Sequence, residues 1–286
     1  MDNYGSLKER IANTLDTLSP KHKNIARFIL DNHYFTSFSS ASQVGEKNDT
    51  TAATVVRFAQ ALGYQGYSEL QEALRSELPN YMTAAARMQK RMSSQKPPGS
   101  TPHNVLYTDI QNIERTASSL SEECLKDALD AILQAKRIFV IGAGLSSGPA
   151  VFLVHSLKVM GFTVIPVDKE GLGAAVEITQ LERDDLLIAI DLWRYARLTV
   201  SAASRAKETG APVIAITDSI VSPLAKMADV SFEVATEGIA HSLSVTALMS
   251  LLNVFVAMVA DRIPEKAYES LKRVDAIYRE NDLLMM

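Results

Sequence analysis

Up to about residue 92 the apolar positions recur at helical spacing, three or four residues apart, and no stretch reads convincingly as a strand. Ser19-Pro20 reads as an N-cap followed by a proline in the first helical position, opening a helix whose apolar face includes Ile25, Phe28 and Ile29. In "SASQVGEKNDTTAATVVRFAQALGYQGYSELQEAL" (40–74), small and apolar positions up to Val44 and Gly45 predict a short helix. Asn48-Asp49 supply a turn, and Thr51 caps a second helix that runs to about Leu62 before Gly63 stops it.

The period then changes. "SSQKPPGSTP" (93–102) is rich in Ser, Pro and Gly and reads as a linker. Helical patterns return at about 104–119 and 121–134. Beyond them the short apolar runs "RIFVIG" (137–142), "FTVIPV" (162–167), "LLIAI" (186–190) and "PVIAIT" (212–217) alternate with amphipathic stretches. A fifth run, "VSFEVA" (230–235), has no long helix before it, and long helices are expected at about 238–261 and 264–280. That rhythm is the sequence form of βαβ units. The expected architecture is an all-α helix-turn-helix domain at 1–92, a linker at 93–103, and an α/β domain with a parallel sheet flanked by helices at 104–286.

Composition narrows the class without naming a function. Of the 286 residues 47% are hydrophobic and 22% charged, enough for two domains with real cores. A single cysteine, Cys124, and no leading apolar segment after Met1 argue against a disulfide scaffold or a secreted protein, so a cytoplasmic location is expected. The best membrane candidate, "LSVTALMSLLNVFVAMVA" (243–260), carries Ser244, Thr246, Ser250 and Asn253 and lacks a basic flank at its start, so a buried or subunit-contact helix is expected and no membrane. The formal net charge is −4, so any DNA affinity has to come from local placement of charge.

Two short helices across a tight turn form a helix-turn-helix, in which the start of the second helix enters the major groove. Small or hydroxylated residues there allow close approach to base edges. Thr51, Ala52, Thr54 and Val55 fit that role, Arg57 on the same helix reaches a phosphate or a base, and Val56 and Phe58 address the core. Lys47 before the turn and Tyr64 after the helix complete the expected DNA-contacting set. On spacing alone, a helical hairpin of some other small domain fits equally.

"TTAATVVRFAQALGYQGYSEL" (50–70) resembles the N-terminal domain of the RpiR family of bacterial transcription regulators. There a helix-turn-helix ends in an Arg-Phe pair followed by Leu-Gly-aromatic-x-Gly-aromatic. Here these are Arg57-Phe58 and Leu62-Gly63-Tyr64-Gln65-Gly66-Tyr67, and the resemblance covers about 19–78. The family turn usually has Gly-Val where this chain has Asp49-Thr50, and Asp49 near DNA would be unfavourable unless it points away.

"IGAGLSSGPA" (141–150) exits the first strand run into a helix. As a dinucleotide fingerprint it offers Gly142, Gly144 and Gly148, with Asp168 as a ribose ligand, but the third glycine comes one residue late. It also reads as a plain connecting turn. The region instead resembles the sugar isomerase (SIS) domain, which follows the helix-turn-helix in RpiR regulators. The resemblance spans about 123–262 through "GAGLSSG", "AKETGAPVIAITD" (206–218) and "SPLAKMADV" (222–230). It implies a five-stranded, flavodoxin-like parallel sheet between helices, subunit pairing, and sugar-phosphate recognition by serines and threonines at strand ends. Ser146 matches the family's first-loop serine, with Gly144 and Ser147 beside it.

The second loop departs from the family. Where SIS domains commonly read Ser-x-Ser-Gly-x-Thr, "IDLWRYA" (190–196) puts Asp191 and Trp193 at the serines, Arg194 at the glycine and Ala196 at the threonine. One reading is an altered effector pocket, in which Trp193 or Tyr195 stacks on the ligand, Arg194 or Arg197 meets a carboxylate, and Asp191 meets an amine or hydroxyl. The other is structural: Asp191 pairs with an arginine and Trp193 fills a subunit contact.

Glu237 and His241, spaced i,i+4 at the start of the expected helix at 238, either face one site, where they count among the effector-binding residues and where an isomerase would use Glu237 as its base, or cap and solvate that helix. No catalytic set emerges: the five histidines are scattered, one cysteine leaves no zinc spacing, and no Gly-x-Ser-x-Gly elbow exists. No cofactor or metal is expected. The sequence reads as a homodimeric or homotetrameric regulator that binds operator DNA and senses a small-molecule effector, with a sugar-phosphate isomerase carrying an added helical domain as the alternative.

Overall fold

Ser19 accepts the His22 N–H and Pro20 occupies the first turn of its helix, as that pair predicts. The computed structural model describes residues 7–77, 84–93, 101–167, 172–193, 195–220, 222–239 and 241–283. The chain divides into two units, Met1–Gln95 and Lys96–Met286.

The first unit is helical: α1 (Leu7–Thr14), a short 3-10 turn, α2 (Pro20–Asp31), α3 (His33–Phe38), α4 (Ala41–Lys47), α5 (Ala52–Ala61), α6 (Tyr67–Glu77) and α7 (Ala84–Ser93). Leu7, Ile25, Ile29, Val44, Val55, Phe58, Leu70 and Leu74 form its core. α6 also satisfies the open carbonyls where α3 ends. The Tyr67 hydroxyl donates to Thr36 O (3.1 Å) and Ser39 O (2.9 Å), the Gln71 amide to Ser39 O (2.7 Å), and Arg75 Nε to Ser37 O (2.8 Å). Burial pushes the Tyr67 phenol well above its ordinary value, so it stays a donor.

In the second unit α8 (Thr101–Ser119) begins inside the stretch expected to be linker, and α9 (Glu122–Gln134) follows. Then come β1 (Ile138–Gly142), α10 (Ser147–Val159), β2 (Val164–Val167), α11 (Leu172–Thr179), β3 (Leu186–Asp191), α12 (Arg197–Thr209), β4 (Val213–Thr217), β5 (Val230–Glu233), α13 (Thr246–Arg262) and α14 (Pro264–Glu280). All five strands pair in parallel in the order β2-β1-β3-β4-β5, the flavodoxin-like order expected of the SIS resemblance. One face of the sheet packs Ile188, Ile190, Ile214 and Ile216 against α9, α10 and α13. The other packs Leu187, Ala189, Val213 and Ala215 against α11 and α12. With both faces covered, the strands read as apolar runs and not as alternations.

The helix expected from about 238 starts at Thr246 instead. α8 holds the preceding segment in a non-helical path by a line of side chains on one face. Thr116 Oγ1 accepts the Ala235 N–H (2.9 Å), and Asn112 donates to Glu237 O (2.8 Å) and accepts the Glu237 N–H (3.2 Å). Ser244 donates to Asp109 (2.5 Å). The backbone groups a helix would use are thereby taken, and the Ser244 N–H closes the loop onto Thr236 O (3.2 Å). A Cβ on Gly238 would overlap the Ser242 carbonyl, so this loop needs its glycine. α13 buries Leu248, Leu251, Leu252, Phe255 and Val259 in the sheet's core, and among the described residues no single helix is long and apolar enough to cross a membrane.

Candidate functional site

In the helical unit a capping box starts α4: the Ser40 hydroxyl accepts the Gln43 N–H and the Gln43 side chain accepts the Ser40 N–H. Its end is tied by Asn48, whose amide donates to Val44 O (2.8 Å). Asp49 then adopts a left-handed backbone, φ +47°, at one of the two positions where the family usually has Gly-Val. Aspartate is among the few side chains that enter this region at modest cost, so the replacement keeps the turn. Its carboxylate is exposed.

Thr51 caps α5, accepting the Thr54 N–H (3.4 Å), and the two hydroxyls lie 3.1 Å apart. The approach of α4 to the start of α5 depends on Gly45, where a Cβ would stand 2.8 Å from Thr50 O and 3.1 Å from Thr51 C. Val55, Phe58 and Ala59 face inward at 0% exposure. Lys47, Thr51 and Arg57 are exposed, and Ala52 and Thr54 partly so.

Two residues of the expected DNA-contacting set are corrected by this geometry. Val55 is sealed in the core, while Val56, expected inside, is the half-buried one: the helix rotates so that the 55-58-59 stripe packs. Tyr64 is 6% exposed and lies under the Arg10 guanidinium. Two positions the sequence reading missed, Ala53 and Gln60, share the exposed stripe with Arg57 at spacings of four and three, a helical periodicity that could have found them.

The second unit gathers candidate groups at the C-terminal ends of its strands. β1 and β3 are neighbours whose following helices pack on opposite faces, which makes their mouth the topological switch point where open α/β sheets bind ligands. The β1 loop enters a 3-10 turn at Gly144, φ +57°, and passes so close to the strand that a Cβ on Gly142 would sit 2.5 Å from Ser146 O. Ser147 is exposed and its hydroxyl donates to Gly144 O (2.7 Å). Ser146 is fully buried, and among the described residues its hydroxyl meets no hydrogen-bond partner.

At the end of β3 Asp191 is 3% exposed, and its Oδ2 accepts the Ala196 N–H at the head of α12 (2.7 Å). Burial raises this carboxyl to about 7; the N–H groups of Ala196 and Leu192 and the Thr199 hydroxyl oppose the rise, and Asp218 adds to it. Trp193 has a left-handed backbone, φ +55°, and packs on the sheet's core. The Tyr195 hydroxyl donates to Asp218 Oδ1 (2.8 Å) just beyond β4. Burial raises Asp218 as well, and partial burial and Asp218 raise Glu233 at the end of β5.

The turn is thus acid-lined, with two acids the sequence reading did not single out. The signal was available, since "VIAITD" ends in Asp218 as "LLIAID" ends in Asp191. Arg197 is exposed, and no ion pair joins it to Asp191. Arg194 and Asp168 lie outside the described residues.

Glu237 and His241 are not on a helix. Glu237 pairs with Arg115 (3.1 Å) while its backbone bonds Asn112, and His241 is exposed. Their expected i,i+4 relation is lost because α8 holds this segment in its non-helical path. Among the described residues no group of three or more His, Cys, Asp or Glu is placed to hold a metal ion.

A capped helix-turn-helix with an open hydroxyl and cationic face, joined in one chain to a doubly wound α/β domain, defines a DNA-binding transcription regulator. Residues 5–81 match the helix-turn-helix domain of the rpiR family and residues 131–259 the SIS domain. The sugar isomerase domain of an RpiR transcription factor from Sphaerobacter thermophilus is 37% identical, with 62% of this chain covering 99% of that one at a TM-score of 0.60. The chain belongs to the RpiR family of transcription regulators. The regulator HexR of Pseudomonas aeruginosa is 24% identical over 80% of this chain and 79% of its own. The Vibrio vulnificus NanR protein, solved with ManNAc-6P, is 22% identical and shares the fold over 98% of this chain and 100% of its own, TM-score 0.72.

Proposed function

We propose that residues 1–92 read operator DNA through α5, with Thr51, Ala52, Thr54 and Arg57 at the groove and Lys47 at the phosphates beside the turn. The second unit, which includes everything from α8 onward, pairs two or four copies and senses a small metabolite at the β1/β3 mouth. The observation that carries this reading is α5 itself. Its start is capped, small and hydroxylated, its apolar residues are spent on the core, and Arg57 is left exposed.

A single small, non-basic reader has limited affinity, whereas paired readers engage two half-sites together. The effector acts by favouring one arrangement of the pair over another. A sugar-type metabolite fits the SIS domain and the phosphosugar bound by the NanR protein, and the buried Ser146 hydroxyl is a group such a ligand would satisfy.

The test is fluorescence anisotropy of the full chain on DNA upstream of its own and neighbouring genes against shuffled DNA, with sugars and sugar phosphates added. Salt-sensitive preference for one fragment, relieved or enhanced by a metabolite, is expected. Binding no different from shuffled DNA would reject the reading.

We further infer that the chain is a regulator without isomerase turnover. Glu237, the base an isomerase reading would use, is held by Arg115 and its backbone by Asn112. Turnover of phosphosugars abolished by Glu237→Gln would establish the enzyme instead.

A further inference from the structure

α8 is turned inside out for a surface helix. Its inward stripe is polar: Asn112 at 0% and Thr116 at 5% exposure carry the bonds to Glu237 and Ala235, and Asp109 accepts the Ser244 hydroxyl. The apolar residues point the other way, with Leu106 and Tyr107 63% and Ile110 53% exposed. A helix on a globular domain ordinarily does the reverse, because its apolar stripe is what holds it to the core. This one is tied down by hydrogen bonds, which leaves its apolar face to something else.

That face has a period. His103, Leu106, Ile110, Ile113 and Ala117 follow one another at alternating spacings of three and four, the narrow seam of a helix that packs along another helix; Ile113 is half-buried and the rest are exposed. Charge favours a second copy of α8 as that helix. Asp109 and Arg115 are engaged by the domain itself, through Ser244 and Glu237, so among the described residues of α8 Glu114 is the one formal charge left to the outer face. With Arg115 engaged, the face offers a phosphate backbone no guanidinium or ammonium, and a two-fold contact opposes no row of like charges. Tyr107 and Glu114 lie on the same edge of the seam, seven residues apart, so a copy running in the opposite direction sets each Tyr107 hydroxyl beside the other copy's Glu114 carboxylate.

We propose that the outer face of α8 is the surface on which two copies of this chain pair, α8 antiparallel to α8 along the seam from His103 to Ala117. The proposal rests on the reading that the second unit pairs copies, and names the face that does it. α8 is the first helix of that unit in chain order, so the contact joins the copies where each chain enters the unit.

The test is sedimentation velocity of the full chain over a range of concentrations, comparing wild type, Ile110→Asp and Gln111→Asp, the last one step along the helix and off the seam. A carboxylate in the seam is expected to raise the dissociation constant of one association step about tenfold or more, and Gln111→Asp to leave it unchanged. Circular dichroism should show both variants folded, since both positions are exposed. Wild-type assembly in Ile110→Asp would overturn the proposal and leave the pairing itself standing; if a lower urea midpoint accompanied it, the chain would be covering this face itself. A wild type that stays monomeric at every concentration would overturn both.

Should Ile110→Asp fail to fold, oxidative cross-linking decides. Leu106→Cys combined with Ala117→Cys is expected to give a covalent dimer that neither single variant gives, because an antiparallel pair sets these positions across the seam from one another. Each single variant also controls for Cys124. A dimer from Leu106→Cys alone marks a parallel pair, and no cross-link from any of the three marks a face that no copy covers; either result overturns the proposal. Loss of DNA binding would count against the DNA-reading part of the proposed function alone, because assembly and cross-linking are read without DNA.

Discussion

The Arg10 guanidinium lies 4.4 Å from the centroid of the Tyr64 ring and donates to the Leu62 carbonyl (3.1 Å), joining α1 to the residues that end α5. Leu62 closes the helix, and Gly63 turns the chain away with φ +84°. One cation thus covers an aromatic face and satisfies a terminal carbonyl 52 positions away in sequence. Arg10→Ala removes both contacts and is expected to destabilise the helical unit by about 1–3 kcal/mol, read as a lower urea midpoint at unchanged slope. Arg10→Lys should recover only part, lacking the planar fork. Wild-type stability in Arg10→Ala would show that the contact contributes nothing.

Gly45 gives a sharper test of the turn. A Cβ there would press on the backbone of Thr50 and Thr51, which cannot yield as a flexible side-chain tip does. Gly45→Ala is expected to cost about 2 kcal/mol or more and to weaken DNA binding by displacing the start of α5. Circular dichroism and anisotropy check both effects. An alanine variant of full stability and affinity would mean that α4 and α5 are not tied at this point.

Arg57 separates binding from folding. It is exposed, so Arg57→Ala should shift stability by no more than about 0.5 kcal/mol. If the side chain meets a phosphate, DNA affinity falls on every sequence and the slope of log affinity against log salt becomes shallower by about 0.9; if it meets a base, the loss falls on the preferred fragment. An affinity and salt slope identical to wild type would remove Arg57 from the interface.

The sheet and the turn were legible because their signals are local. Apolar runs of five or six residues between amphipathic stretches mark the buried parallel strands, and Ser19, Thr51 and Gly63 each act within a few residues of themselves. What the sequence hid was set by partners far along the chain. The late start of α13 depends on Asn112 and Thr116, more than a hundred positions away. Val55 and Val56 differ only by one step around the helix, and which one packs is decided by the core it meets. Asp191 was visible as an odd residue in a familiar loop, but its bond to Ala196 and its neighbour Asp218 required the fold.

That buried carboxyl makes stability depend on pH in a direction opposite to that of a salt-bridged acid. Asp191 is raised from an ordinary 3.8 to about 7, so the folded chain keeps a proton that the unfolded chain gives up at lower pH. Stability conferred by the neutral carboxyl is complete near pH 4, is lost as pH rises towards 7, and stays lost above it. Asp218 and Glu233 shift the same way and steepen the fall. Asp191→Asn removes the ionisation yet leaves an oxygen for the Ala196 N–H. It is expected to be more stable than wild type at pH 8 by roughly 2–4 kcal/mol, the upper figure being the whole shift, and to lose most of that advantage by pH 5. Urea unfolding of both proteins at pH 5, 6, 7 and 8 measures it. An advantage that is flat across this range, or that grows towards acid, would mean that Asp191 is not held neutral by its burial and that the head of α12 stabilises the ionised carboxylate instead.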